Sequence, residues 1–187
     1  MTIHAPSQSV QLWARLARRI RVPLGFLSAL VFLWLARPTR TSIFAGSLIM
    51  LPGLVLRGFA SGHVQKDKQL TTSGPYAYTR NPLYLGSLLL AAGFAVASRS
   101  WWVVAIMLLT FAVIYVPVIA AEERYLRNAF PQYNDYARHV PRLLPRLTPY
   151  RTAPAAFSSA LYWKHREYQA AVGAAVMVAI LIAKLVI

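Results

Sequence analysis

Cysteine is absent from the 187 residues. That excludes a disulfide framework, a thiol nucleophile, a thiolate metal site and palmitoylation at Cys. Acidic residues are scarce: five Asp and Glu stand against twenty Lys and Arg, for a formal net charge of +15. Charged residues of both signs make up 13% of the chain, against roughly a quarter in an average soluble domain, which argues against a water-soluble globule. The 57% apolar content excludes disorder, because that much apolar surface does not stay solvated. Internal repeats, low-complexity tracts and long linkers are also missing, so residues 1–187 read as a single integral membrane domain. The few histidines sit in separate loops without an acidic ligand cluster, so no metal centre is expected. No Gly-x-Gly-x-x-Gly follows a strand. On so apolar a chain, the excess positive charge points to anionic lipid head groups and not to nucleic acid.

What is present is apolar runs. Five stand out: Val22–Ala36, Ile43–Ala60 with Pro52 and Arg57 inside it, Leu83–Ala97, Trp101–Ala121 with Pro117 near its end, and Tyr168–Ile187. A spanning helix needs about 20 apolar residues. The fourth and fifth runs meet this outright. The first and third have 15 each, about 22 Å of helix, and cross only if Arg21, Arg37 and Arg99 snorkel to the interfaces. The alternative for the first two is a re-entrant hairpin. The chain thus reads as an all-α polytopic bundle of about five transmembrane helices. Residues 7–21 add a basic amphipathic helix on the membrane surface, with Val10, Trp13, Leu16, Ala17 and Ile20 at helical spacing. Arg37-Pro38-Thr39-Arg40 follows the first run where a cleavage site would need small residues, so this run is not expected to be a cleaved signal.

Charge sets the expected orientation. With a cytoplasmic amino terminus and five crossings, sixteen of the twenty basic residues fall inside, leaving Arg37, Arg40, Arg99 and Lys184 outside. That is the positive-inside pattern. All five acids fall inside as well, so chemistry using carboxylates is expected at the cytoplasmic face.

Polar residues concentrate in two stretches, 61–84 and 122–145. In the first, Ser73-Gly74-Pro75-Tyr76 is turn chemistry. Asn81-Pro82 reads as a helix start, with Asn capping and Pro at the first helical position. The positive end of that helix favours an anion, and Tyr76, Tyr78 and Tyr84 can face a flat base or a sulfonium cation. An ordinary capped helix with an interfacial aromatic belt explains the same residues. The second stretch opens with Glu122-Glu123 at the mouth of a membrane helix, where acids are costly unless used or paired. Arg124, Arg127, Arg138 and Arg142 are available partners; the plain alternative is that the acids only end the helix. From Arg124 onward, Tyr125, Leu126, Phe130, Tyr133 and Tyr136 suggest a lid-like interfacial helix on the cytoplasmic side, restarted at Pro131. The stretch 140–154, with four prolines, reads as a loose tether.

Taken together, these residues resemble the isoprenylcysteine carboxyl methyltransferases and related phospholipid methyltransferases. The resemblance is carried by Gly74-Pro75-Tyr76, by Tyr78-Thr79-Arg80-Asn81-Pro82-Leu83-Tyr84-Leu85-Gly86, by Glu122-Glu123, by Tyr133 and Tyr136, and by Arg142-Leu143-Leu144-Pro145. It covers about residues 50–147 and leaves the last apolar helix, 168–187, outside. It implies an integral membrane enzyme that binds S-adenosylmethionine through the first two segments and the acidic pair Glu122-Glu123, and takes lipophilic acceptors from the bilayer. His63, before the Gly-Pro-Tyr turn, is a candidate to cap or line the cofactor cleft, with a structural interfacial histidine as the alternative. Asn81 stands where the family often has His; Asn can hydrogen-bond but cannot act as a base.

Methyl transfer from a sulfonium is an in-line displacement that requires alignment and exclusion of water. For a carboxylate acceptor, Arg138 or Arg142 is the expected holding group. For an amine or thiol, Glu122, Glu123, His63 and His139 are candidate bases. Glu123, Arg138 and Arg142 are therefore the candidate catalytic residues. One Glu equally suits the cofactor's ammonium or ribose hydroxyls. Two other classes fit parts of the pattern: a membrane reductase on a related core, and a non-enzymatic basic lipid-binding anchor. The reductase needs a larger helix set and a nicotinamide cofactor, and the anchor does not account for the ordered Gly-Pro-Tyr, Asn-Pro and Glu-Glu set.

Overall fold

The computed structural model describes residues 27–65, 69–150 and 156–186. Helix α1 covers 27–35. It is followed by α2 (Arg40–Ser61), a 3-10 turn at Gly74–Ala77, α3 (Pro82–Ser98) and α4 (Trp101–Ala129). Three further helices complete the described chain: α5 (Tyr133–His139), α6 (Ser159–Lys164) and α7 (Tyr168–Ala183). No strand occurs among the described residues.

Local chemistry explains where α2 starts. Thr39 Oγ1 accepts from the Ser42 amide at 3.2 Å, and Ser42 Oγ accepts from the Thr39 amide at 2.9 Å. This reciprocal cap satisfies two donors that a helix start leaves without partners. Ser42 Oγ also donates to Ala97 O at 3.0 Å, which ties the start of α2 to the end of α3. The two helices run antiparallel along a seam of small residues. A Cβ on Gly46 would collide with Gly93 O, and one on Gly53 would lie 2.8 Å from Gly86 O. Glycines two turns apart on each helix let the backbones touch, the usual way apolar helices associate where lipid removes the hydrophobic drive.

One end of the bundle gathers the end of α1, the start of α2, the end of α3, the start of α4 and the end of α7. Phe32, Ala36, Ile43, Ala97, Val103 and Leu181 form its core. Lys184 donates to Leu33 O and Ala36 O there. The opposite end holds both polar stretches.

Helix α4 departs from regular geometry at Phe111–Tyr115, a π turn just before Pro117. Proline has no amide hydrogen and its ring crowds the carbonyl four residues earlier. A one-residue insertion relieves that conflict, and it rotates everything after it by about 100°.

Arg40–Ser61 and Trp101–Ala129 are long and apolar enough to cross a bilayer; Pro82–Ser98 and Tyr168–Ala183 are apolar but shorter. Large apolar side chains face outward along the bundle, including Trp101 at 86% and Trp102 at 72% exposure. Among the described residues two helices thus have spanning length, and the expected five crossings are not confirmed. The amphipathic helix at 7–21 and the first residues of the run at 22–36 lie outside the described residues. Three other expectations change. The fourth run does not stop at Ala121, because α4 continues to Ala129 and carries Glu122 and Glu123 within it. The lid-like helix is split into the last turns of α4 and the separate α5. Its Tyr133 and Tyr136 are buried with Val140 against Leu70, Leu126 and Tyr150, so α5 is a packed cap. The segment after Val140 is irregular, as its prolines require, but it is firmly bonded, as described next.

Candidate functional site

Residues 76–81 and 136–150 are laced together without forming a sheet. Tyr136 Oη donates to Tyr76 O at 2.7 Å. The amides of Tyr150, Arg146 and Arg80 donate to Ala77 O, Tyr78 O and Pro141 O. Thr79 Oγ1 donates to Leu143 O at 3.0 Å, and Asn81 Nδ2 donates to Arg142 O at 2.9 Å. Each of these satisfies a polar group near the buried helix start, where an unmade bond would cost about 1–3 kcal/mol.

Glu123 is the hub of the site. It is 4% exposed. Arg142 donates from Nη2 to Oε2 at 2.6 Å and from Nε to both oxygens at 3.1 Å. Arg80 Nη1 lies 3.5 Å from Oε1, and Asn81 Nδ2 lies 3.4 Å from it. A carboxylate held by two guanidinium groups and an amide keeps its neighbours in place. Hydrogen bonding to Glu123 raises the Arg142 pKa still further above its usual value. Asn81 makes no side-chain cap bond to α3; its amide bonds across to α4 and to the 142 carbonyl instead. That corrects the capping role expected from the Asn-Pro pair, while Pro82 does occupy the first turn.

Glu122, one residue earlier, is exposed, and its Oε2 accepts from Tyr84 Oη at 2.9 Å. The Tyr84 ring stands edge-on to Tyr115 of the π turn, 6.0 Å between centroids. Burial raises the Tyr76 hydroxyl pKa, and the charge of Glu122 adds to it. Tyr115 also lines an apolar cavity of about 390 Å³ among α1, α3 and α4, whose wall includes Phe32, Ser87, Ala91, Met107 and Phe111. Tyr115 and Tyr84 thus link an apolar chamber to the Glu122 carboxylate.

The other candidates fall into three groups. Gly74-Pro75-Tyr76 form the 3-10 turn, with Gly74 at φ +56°, and Tyr78 is exposed at 38%. His63 Nδ1 donates to Phe59 O, 2.8 Å away, and its ring lies where a Cβ on Gly74 would be. Leu85 sits one turn into α3, its amide donating to Asn81 O, and Gly86 faces α2, where Arg57 and Gly53 fill the space above it. Arg138 is exposed on α5 and is not among the groups bonded to Glu123. Two of the three guanidinium nitrogens of Arg142 are committed to Glu123. Arg57 and Tyr115 went unnoticed as contributors to this end of the bundle; they lie within apolar runs, and only Arg57, a charge inside such a run, carried a signal.

The His63–Gly74 contact supports a direct test. Gly74→Ala places a Cβ into the imidazole and demands a left-handed conformation that costs about 1–2 kcal/mol for a residue with a side chain. A lower melting temperature in detergent is expected, by about 2 kcal/mol in total stability. An unchanged melt would mean that His63 moves freely and does not brace the turn.

Fold and site together define a helical bundle with spanning-length apolar helices and a carboxylate–arginine–tyrosine cluster at one end. Residues 41–133 match the phospholipid methyltransferase family, and through that segment the chain belongs to the family of membrane methyltransferases. It is 44% identical over 87 residues to the cobalt-zinc-cadmium resistance protein CzcN of Cupriavidus metallidurans, covering 46% of this chain and 40% of that one. It is 38% identical over 88 residues to the nickel-cobalt-cadmium resistance protein NccN of Alcaligenes xylosoxydans xylosoxydans, covering 47% and 41%. The chain thus matches about two-fifths of the length of these relatives. No solved structure matches.

Proposed function

We propose that this chain transfers a methyl group from S-adenosylmethionine to a lipophilic acceptor at the cytoplasmic face of the membrane. The observation that carries the reading is the meeting of Tyr84 with Glu122, and of Asn81 and Arg80 with Glu123, beside an apolar cavity. The donor set suits the cofactor. An exposed carboxylate beside Tyr84 and Tyr76 offers charge and the faces of aromatic rings to a cation. Arg80 Nε is buried without a partner among the described residues and suits an acceptor such as a carboxylate. When bound, the cofactor supplies an activated methyl group.

The residues of the chain divide the remaining work. Glu122 and the tyrosines hold the cationic donor. Glu123 fixes Arg142, Arg80 and Asn81 and so keeps the start of α3 against α4. The cavity receives the hydrocarbon part of the acceptor and excludes water, which strengthens every electrostatic contact at the mouth. The acceptor headgroup is a carboxylate, amine or thiol, and anionic lipids surround the basic inner face.

Calorimetry on the detergent-solubilised protein should show S-adenosylmethionine binding, and labelled methyl should pass from it into an extract of total membrane lipids. Folded protein that neither binds the donor nor labels any lipid would overturn the reading. The relatives' names concern metal resistance. A contribution of this chain to it would run through the methylated acceptor, so a labelled lipid from a metal-exposed culture is the informative substrate.

A further inference from the structure

The region after the family-matched segment is docked onto the site end of the bundle. Phe157 packs against Gly62 and His63, and the Ser158 amide donates to Gly62 O at 3.0 Å. The His165 ring nitrogen lies 3.1 Å from Ser61 O. Glu167, at the start of α7, receives Arg57 through Nη2 at 2.7 Å and Nε at 3.1 Å. The side chains of this pair are 21% and 13% exposed. The third nitrogen of Arg57, Nη1, donates to Leu83 O at 3.3 Å and to Ser87 Oγ. Leu83 and Ser87 bracket Tyr84 in the first turns of α3. Arg57 also fills the space that Gly86 leaves open.

On the methyltransferase reading, we propose that Glu167 is a positioning residue of the donor site, acting through Arg57 on the first turn of α3 and hence on Tyr84 and Glu122. An arginine has five donors in a fixed plane. With two of its nitrogens held by Glu167, the third is aimed at the Leu83 carbonyl. Without that carboxylate, the guanidinium loses the two hydrogen bonds that fix its plane, and its hold on the Leu83 carbonyl and on Ser87 loosens. Both acids already act on one neighbour, since the charges of Glu122 and Glu167 each add to the rise in the Tyr76 pKa that burial begins. The device explains why a helix beyond the family core is anchored at both ends. Lys184 holds the far end and Glu167 the site end.

The test compares Glu167→Gln, Glu167→Asp and Lys184→Met in the full chain in detergent, by hydrogen exchange over residues 69–84 and by S-adenosylmethionine calorimetry. Glu167→Gln should raise exchange across 69–84 and weaken donor binding about tenfold. Glu167→Asp should recover part of both, and it keeps the test available if the Gln variant fails to fold. Lys184→Met should lower the melting temperature while leaving both readouts at wild-type values. Unchanged exchange in Glu167→Gln, or an equal rise in Lys184→Met, overturns the positioning role. Wild-type protein that shows the exchange pattern but binds no donor overturns the methyltransferase reading and leaves the coupling through Arg57 standing.

Discussion

Glu123→Ala is expected to abolish donor binding and methyl transfer and to lower stability by about 3 kcal/mol, the low end of the range for removing one partner of a buried ion pair. Four side-chain nitrogens, two of them on Arg142, converge on that carboxylate. Removing it leaves Arg80, whose side chain is 13% exposed, without its carboxylate. Arg142, whose side chain is 54% exposed, can turn to solvent, which limits the loss. The functional effect is the larger one, because Arg142 and Asn81 hold the 136–150 strap against residues 76–81. Misplacement of a binding group by 1 Å can cost about a hundredfold. Glu122→Gln gives the contrast. Its side chain is exposed, so the melting temperature should stay within about 0.5 kcal/mol of wild type while donor affinity falls. Thermal melts and calorimetry on the two variants check the division of labour. A stable, fully active Glu123→Ala would reduce that residue to one more polar group near a helix end.

Gly53→Leu is expected to prevent α2 and α3 from associating, with a loss of 3 kcal/mol or more on the order-of-magnitude scale for overpacking. The obstacle is backbone: an added Cβ already comes within 2.8 Å of Gly86 O and 3.0 Å of Leu89 Cβ. No rotamer change relieves that contact, so the helices must separate, and Arg57, one turn along α2, loses its reach to Leu83 O. Gly173→Ala is the matched control. Among the described residues nothing lies within 4 Å of its added Cβ, so it should be neutral or stabilise α7 by up to about 1 kcal/mol. The yield of folded protein and melting curves in detergent distinguish the two. Equal behaviour would mean that the seam tolerates separation.

Much of this was legible in the chain. The helices follow from the apolar runs, and the two polar stretches identified as the place for chemistry do meet at one end of the bundle. Strict alternation of direction makes them meet: α3 leaves that end and α4 returns to it. Thr39 and Ser42 were overlooked as a helix start because they precede the apolar run and carry no hydropathy. The strap at 140–150 read as loose because its prolines forbid a helix, yet proline carbonyls accept bonds as well as any, and Pro141 O receives the Arg80 amide. Asn81 read as a cap because Asn before Pro usually is one. A carboxylate arriving from another helix offered its amide a better partner.

By itself the sequence determined that the chain is helical, apolar on its outside, and polar where a glycine-proline turn and two adjacent glutamates stand. Which glutamate is buried was decided only by the tertiary structure. In an unbroken α-helix Ile114, Val118 and Glu122 would share one face, four residues apart. The π turn before Pro117 adds a residue, so the buried positions step from Ile114 to Ile119 and then to Glu123. One residue of phase, forced by a proline ring and held by the helices packed around it, turns Glu123 into the arginine cluster and leaves Glu122 facing outward beside Tyr84.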